Sequence, residues 1–143
     1  MKTNPVIVER VFECQAIHVW QAITEKEKME EWYFKIQSFK PEPGFEFQFY
    51  GGTPEKQYLH LCRIMEVVPQ KKLSYTWEYE GDPAVTLVTF ELFEDLNQTR
   101  LKLTHEGLDH FSANNPDLKR DNFVNGWKHI IGTSLKQYLH QFI

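Results

Sequence analysis

Residues 86–107 read TLVTFELFEDLNQTRLKLTHEG, and their alternation decides the architecture. Val88, Phe90 and Leu92 alternate with Thr89, Glu91 and Phe93, and Leu101, Leu103 and His105 alternate with Arg100, Lys102 and Thr104. Successive side chains of a strand point to opposite faces, so each run carries one inward set. The polar stretch from Asp95 to Gln98 supplies a turn between them, and the two runs read as a β-hairpin.

The same alternation continues upstream. Leu73, Tyr75 and Trp77 share one face of a strand whose other face is Ser74, Thr76 and Glu78, with Gly81-Asp82-Pro83 as the turn that follows. Residues 57–68 form another extended run, closed by Pro69. In it Leu59, Leu61, Met65 and Val67 have one parity, and Tyr58, His60, Cys62, Ile64 and Glu66 the other. We assign the first parity to the interior, which places Met65 inside. Arg63 shares that parity, so it either turns its head to solvent at a bulge or lies inside facing an anion. Before this run, Phe45, Phe47 and Phe49 alternate with Glu46 and Gln48 after the turn Lys40-Pro-Glu-Pro-Gly44.

The ends of the chain change period. Residues 6–13 suit a half-buried strand. Helical spacing then takes over, with Val19, Trp20 and Ile23 in one short helix and Met29, Trp32 and Tyr33 in a second. Thr24, three residues before Glu27, has the spacing of a capping box for the second helix. From Lys119 onward Phe123, Trp127, Ile130, Ile131, Leu135, Tyr138 and Leu139 recur at helical spacing without a proline, which predicts a final helix of about twenty residues, about 30 Å long. Antiparallel strands in series with helices segregated at the ends give the α+β class, in a single domain over residues 1–143.

The composition supports one packed core. Of 143 residues, 41% are hydrophobic and 15% aromatic, too rich in bulky side chains for a disordered chain. A formal charge of −4 with interspersed signs disfavours nucleic-acid binding, which needs a concentrated basic face. No apolar run is long enough to span a bilayer and charges enter early at the N-terminus, so the expected location is the cytoplasm, away from membranes. Cys14 and Cys62 match neither a disulfide framework nor a zinc spacing and read as reduced, buried thiols.

A family resemblance is carried by Val19-Trp-Gln-Ala-Ile-Thr24 with Trp32, by Glu66 to Pro69 leading into Leu73-Ser-Tyr-Thr-Trp77, by Val88-Thr-Phe-Glu-Leu92, by Thr99 to Gly107, and by Gly126-Trp127. In that order and spacing, over the whole length, the chain resembles the family named after the activator of heat-shock protein 90 ATPase, within the START and Bet v 1-like (SRPBCC) superfamily. The resemblance implies a helix-grip fold: a curved antiparallel sheet around a long C-terminal helix, two short helices after strand 1, and a pocket between sheet and helix. It also implies, as one possibility, a chaperone partner. The chain departs from the family where many members carry two glycines before the third strand. Here stands Pro43-Gly44-Phe45, and a phenylalanine at that point would narrow the mouth of the pocket.

Chemistry-bearing residues crowd into His105-Glu106-Gly107-Leu108-Asp109-His110. Adjacent strand residues face opposite sides, so a shared metal ion is disfavoured, and we expect neither a metal nor a cofactor. His105 reads either as an inward polar residue held by a hydrogen bond, or as a group that orients a ligand or moves a proton near neutral pH. Trp20, Trp32, Trp77 and Trp127 read as stacking walls or as core. The expected function is binding of a small apolar or aromatic molecule, by a monomer or homodimer, in a cavity lined by Trp32, Phe47, Met65, Tyr75, Trp77, Phe90, Leu103, His105, Phe123 and Trp127. Two alternatives stand beside it: a cyclase- or hydrolase-type enzyme using His105 with a neighbouring Tyr or Glu, and a co-chaperone-like interaction module using an exposed apolar patch.

Overall fold

Six antiparallel strands, β1 (Val6–Phe12), β2 (Glu46–Thr53), β3 (Lys56–Val68), β4 (Lys72–Tyr79), β5 (Thr86–Asp95) and β6 (Gln98–Glu106), form one curved sheet in the order β1-β6-β5-β4-β3-β2. The computed structural model describes residues 5–53, 55–111 and 118–143. Two short helices, α1 (Ala16–Thr24) and α2 (Lys26–Trp32), connect β1 to β2. The C-terminal helix begins as α3 (Arg120–His129), widens into a π-helical stretch (Ile130–Leu135) and finishes as α4 (Lys136–Leu139) with a closing 3-10 turn. This is the helix-grip arrangement. Among the described residues no helix is long and apolar enough to cross a membrane.

The hairpin read from residues 86–107 forms in the expected register. Val88 faces His105, Phe90 faces Leu103 and Leu92 faces Leu101, and all six are buried. Leu73, Tyr75 and Trp77 continue the same inner face through β4, and Phe47 and Phe49 through β2. These residues pack against Phe123, Trp127, Ile131, Leu135 and Leu139 of the C-terminal helix in one contiguous core.

Those five helix residues stand four apart. Four residues of an α-helix overrun one turn by about 40°, so a strict four-residue repeat drifts off the sheet after a few turns. The π stretch takes more residues per turn and reverses the drift. Leu135 and Leu139 therefore stay buried beneath the same sheet that buries Phe123 and Trp127. Gly132, within the stretch, leaves room for the Arg10 side chain of β1: a Cβ there would stand 3.2 Å from the guanidinium nitrogens.

Three expectations fail locally. The β3–β4 register shifts between Ile64 and Glu66, and this bulge puts Met65 on the outer face, 53% exposed. Before the bulge the inward residues are His60, Cys62 and Ile64; after it the parity flips, and Val67 pairs with Leu73. Arg63 accordingly lies on the outer face and exposed. Thr24 ends α1 instead of capping α2, its hydroxyl donating to the Trp20 carbonyl at 2.6 Å, and Glu25 takes the cap position. Phe45 is half-buried beside Phe39, at 6.4 Å between ring centres, and is not on the wall of the hollow described next.

Candidate functional site

The inner volume between sheet and helix divides into a filled part and an open part. In the filled part the Tyr33 and Tyr75 hydroxyls share a 2.7 Å hydrogen bond, Phe47 meets Tyr75 edge-on at 5.1 Å, and Phe90 meets Trp127 edge-on at 6.1 Å. Burial holds both phenols well above their ordinary pKa. Leu103 is buried among them. Trp32 lies at the end of α2, its indole N–H donating to the Ala22 carbonyl at 2.8 Å.

The open part is a hollow of about 560 Å³ between α3 and the β2–β3–β4 side of the sheet. Trp77, Tyr79 and His60 form its sheet wall, and Phe123, Gly126 and Trp127 its helix wall, with Phe34 closing one side. Gly51 belongs to the wall because a Cβ there would come within 3.0 Å of both the His60 and Phe34 rings. At the rim the Lys56 ammonium sits 5.7 Å from the centre of the Tyr58 ring.

His60 stacks on Phe49 at 4.5 Å and meets Trp77 edge-on at 4.9 Å. Its Nδ1–H donates to the Tyr58 carbonyl at 2.9 Å, since a carbonyl can only accept. Burial depresses its pKa to about 4, so the ring is neutral at physiological pH.

Behind Trp77 lies His105, 0% exposed. An indole N–H is a donor only, so the 3.0 Å contact from Trp127 Nε1 makes His105 Nδ1 the acceptor. The proton of the neutral ring is thus on Nε2, which donates to Thr86 Oγ1 at 2.8 Å, and Thr86 donates onward to the Trp77 carbonyl at 2.7 Å. Both ring nitrogens are used, and burial, reinforced by His60, holds the pKa down to about 3. His105 thus braces Trp127 against Trp77 and does not titrate near neutral pH. Glu106, Asp109 and His110 are exposed, away from His105.

One polar atom of the wall is left over. Trp77 is 4% exposed, and its Nε1–H has no hydrogen-bond partner. The indole is close enough to the Tyr79 hydroxyl to favour its ionised form, although burial pushes that phenol up overall. That side-chain contact falls short of full hydrogen-bond geometry, and the Nε1 atom itself is closed off from solvent. Both cysteines are buried, and burial raises both thiol pKa values, so neither is a ready nucleophile.

Residues 13–140 match the family described as activator of Hsp90 ATPase homolog 1-like protein. The chain belongs to that family. Solved structures share the fold of this Hsp90 ATPase activator-like chain over nearly its whole length. The protein MLL2253 of Mesorhizobium loti is 29% identical, with a TM-score of 0.78 over 98% of this chain and 99% of the other. The protein BH1534 of Bacillus halodurans is 23% identical, with a TM-score of 0.74 over 96% and 99%. CalU16 of Micromonospora echinospora is 19% identical, with a TM-score of 0.75 over 99% and 77%. A comparison with curated proteins finds no match.

Of the residues expected to line the cavity of this activator-like chain, Trp77, Phe123 and Trp127 are on the wall of the hollow. Tyr75, Phe90, Phe47, Leu103 and His105 lie in the packed interior, Trp32 is buried at α2, and Met65 is outside. Sequence reasoning missed His60, Tyr79, Phe34 and Gly126. The first was lost with the β3 parity. Tyr79 was visible as the next residue in the Leu73, Tyr75, Trp77 alternation.

Proposed function

We propose that this activator-like chain is a binding module for a small apolar molecule, held in the hollow between α3 and β2–β4. One observation carries the reading: an aromatic-walled space of about 560 Å³ open to the surface, within the range of about 300–1,000 Å³ in which ligand pockets fall. A solid core would place apolar contacts there, since interiors are close-packed. The enzyme alternative asked for His105 as an acid–base group, and a buried imidazole with both nitrogens bonded does not offer that. The interaction-module alternative asked for an apolar patch. On the outer face Val11 and Phe93 flank Arg100 in register, and the Arg100 guanidinium lies 4.2 Å from the centre of the Phe93 ring, so charge interrupts the apolar surface.

The test is titration with a neutral dye that fluoresces in apolar surroundings, such as Nile red. The expected result is one saturable site, displaced by aromatic or fatty competitors and lost in Gly126→Leu, whose side chain enters the hollow. Binding that does not saturate, or that survives Gly126→Leu unchanged, overturns the reading.

A further inference from the structure

The geometry points to a second site, outside the hollow: in the seam between β1 and the π stretch of the C-terminal helix, Arg10, Lys128 and Lys136 hold the phosphate group of a small soluble phosphate ester. β1 is an edge strand, paired only with β6, and the helix runs beside it. Arg120 donates to the Pro5 carbonyl at 3.0 Å, and farther along Arg10 reaches Gly132. From Pro5 to Arg10 a strand rises about 17 Å and from Arg120 to Gly132 a helix rises about 18 Å, so the two lie side by side in one direction.

Arg10 shares the parity of the buried Val6, Val8 and Phe12, yet it is exposed. Its guanidinium lies against the helix at Gly132, where a Cβ would stand 3.2 Å from Nε and Nη2. Among the described residues its side chain makes one hydrogen bond, from Nη1 to the Glu9 carbonyl at 2.7 Å. The Glu9 carboxylate itself is 2.9 Å from Arg100. A guanidinium carries five N–H donors in a planar fork, so most of this fork is open to an oxyanion.

Two more cations flank it. Lys128 and Lys136 stand four residues to either side of Gly132, about 6 Å along the axis each way. They occupy the stripe next to Trp127, Ile131 and Leu135, on the side that meets β1. Both are exposed, and among the described residues neither they nor Arg10 form an ion pair. Between Leu118 and Ile143 the sole acid is Asp121, about three turns before Gly132. Three cations around one fork suit a phosphate dianion better than a single carboxylate. The exposed helix neighbours His129 and Thr133 are polar, whereas a membrane-docking face sets apolar side chains beside its cations. A soluble ester therefore fits the seam better than a lipid surface.

The test uses phenyl phosphate, benzoate and vesicles of phosphatidic acid in phosphatidylcholine, at constant ionic strength and about pH 7, where the ester is mostly dianionic. The soluble anions are followed by the backbone amide resonances of Arg10 and Gly132, the vesicles by co-sedimentation. Wild type is expected to bind phenyl phosphate at one saturable site that moves both resonances, about tenfold tighter than benzoate. Arg10→Lys keeps the charge but loses the fork, and should weaken phenyl phosphate about tenfold. Lys136→Gln should weaken it about threefold. Nile red binding in the hollow should be unchanged in both variants.

Equal affinity for the two anions, an affinity for phenyl phosphate unchanged in Arg10→Lys, or no binding of it at all overturns this inference. Sedimentation with the vesicles in the absence of phenyl phosphate binding overturns it in favour of a membrane surface. Should Arg10→Lys not fold, Lys128→Gln and Lys136→Gln decide, and full affinity in both refutes the site. Each of these outcomes leaves the reading of the hollow standing.

Discussion

Trp127 of the C-terminal helix donates its indole proton to His105 Nδ1 of β6 across 3.0 Å, so the helix is fastened to the sheet by a buried hydrogen bond as well as by packing. Trp127→Ala should therefore destabilise the protein by about 3–5 kcal/mol, as large aromatic truncations do. Trp127→Phe keeps most of the packing but orphans His105 Nδ1, at a cost of about 1–3 kcal/mol. Chemical denaturation of both variants checks the order. An unchanged midpoint for Trp127→Ala would refute the fastening.

Stability should fall with acid before the carboxylates titrate. His60 and His105 have pKa values held down to about 4 and about 3, below the ordinary 6.5. The unfolded chain thus binds more protons than the native one between those values and 6.5. The stability these rings contribute is complete above about pH 6.5 and is lost as pH falls through the window. The slope is about 1.4 kcal/mol per pH unit for each ring, so about 2 kcal/mol should disappear between pH 6 and pH 5. His60→Phe, which keeps the stack on Phe49, should roughly halve that slope. Denaturant midpoints measured across the window report it.

Gly126 lies within α3, and a Cβ built there meets nothing within 4 Å. Gly126→Ala should raise stability by about 0.5–1 kcal/mol, because alanine restricts the unfolded chain and favours the helix. The gain should appear in thermal or denaturant unfolding with dye affinity little changed, whereas Gly126→Leu should stop the dye.

The bulge in β3 makes adjacent residues behave as opposites. Ile64→Ala should cost about 2–5 kcal/mol, as buried truncations do, while Met65→Thr on the outer face should stay within about 0.5 kcal/mol. Similar losses for the two would contradict the register shift.

The alternation in β4, β5 and β6 was legible because only one parity in each strand offers a large apolar set, so a slip would expose it. In β3 both parities are apolar: Leu59, Leu61 and Met65 compete with Tyr58, Cys62 and Ile64, and the two-residue period cannot choose between them. A bulge leaves no composition signal there, and with the wrong face went His60. Thr24 has cap chemistry, but its hydroxyl found the Trp20 carbonyl one turn back first. The unpartnered Trp77 N–H was beyond reading, because an absent partner is a fact of three-dimensional geometry.

The π stretch at Ile130–Leu135 stands between the part of the helix that faces the hollow, with Phe123, Gly126 and Trp127, and the last turn, anchored by Tyr138 and Leu139. The stretch brings both parts into one phase, so that each buries its apolar side chains under the same sheet. A side chain enlarged at Gly126 would therefore crowd the hollow from one side of this joint while the Leu139 anchor on the other side stays in place.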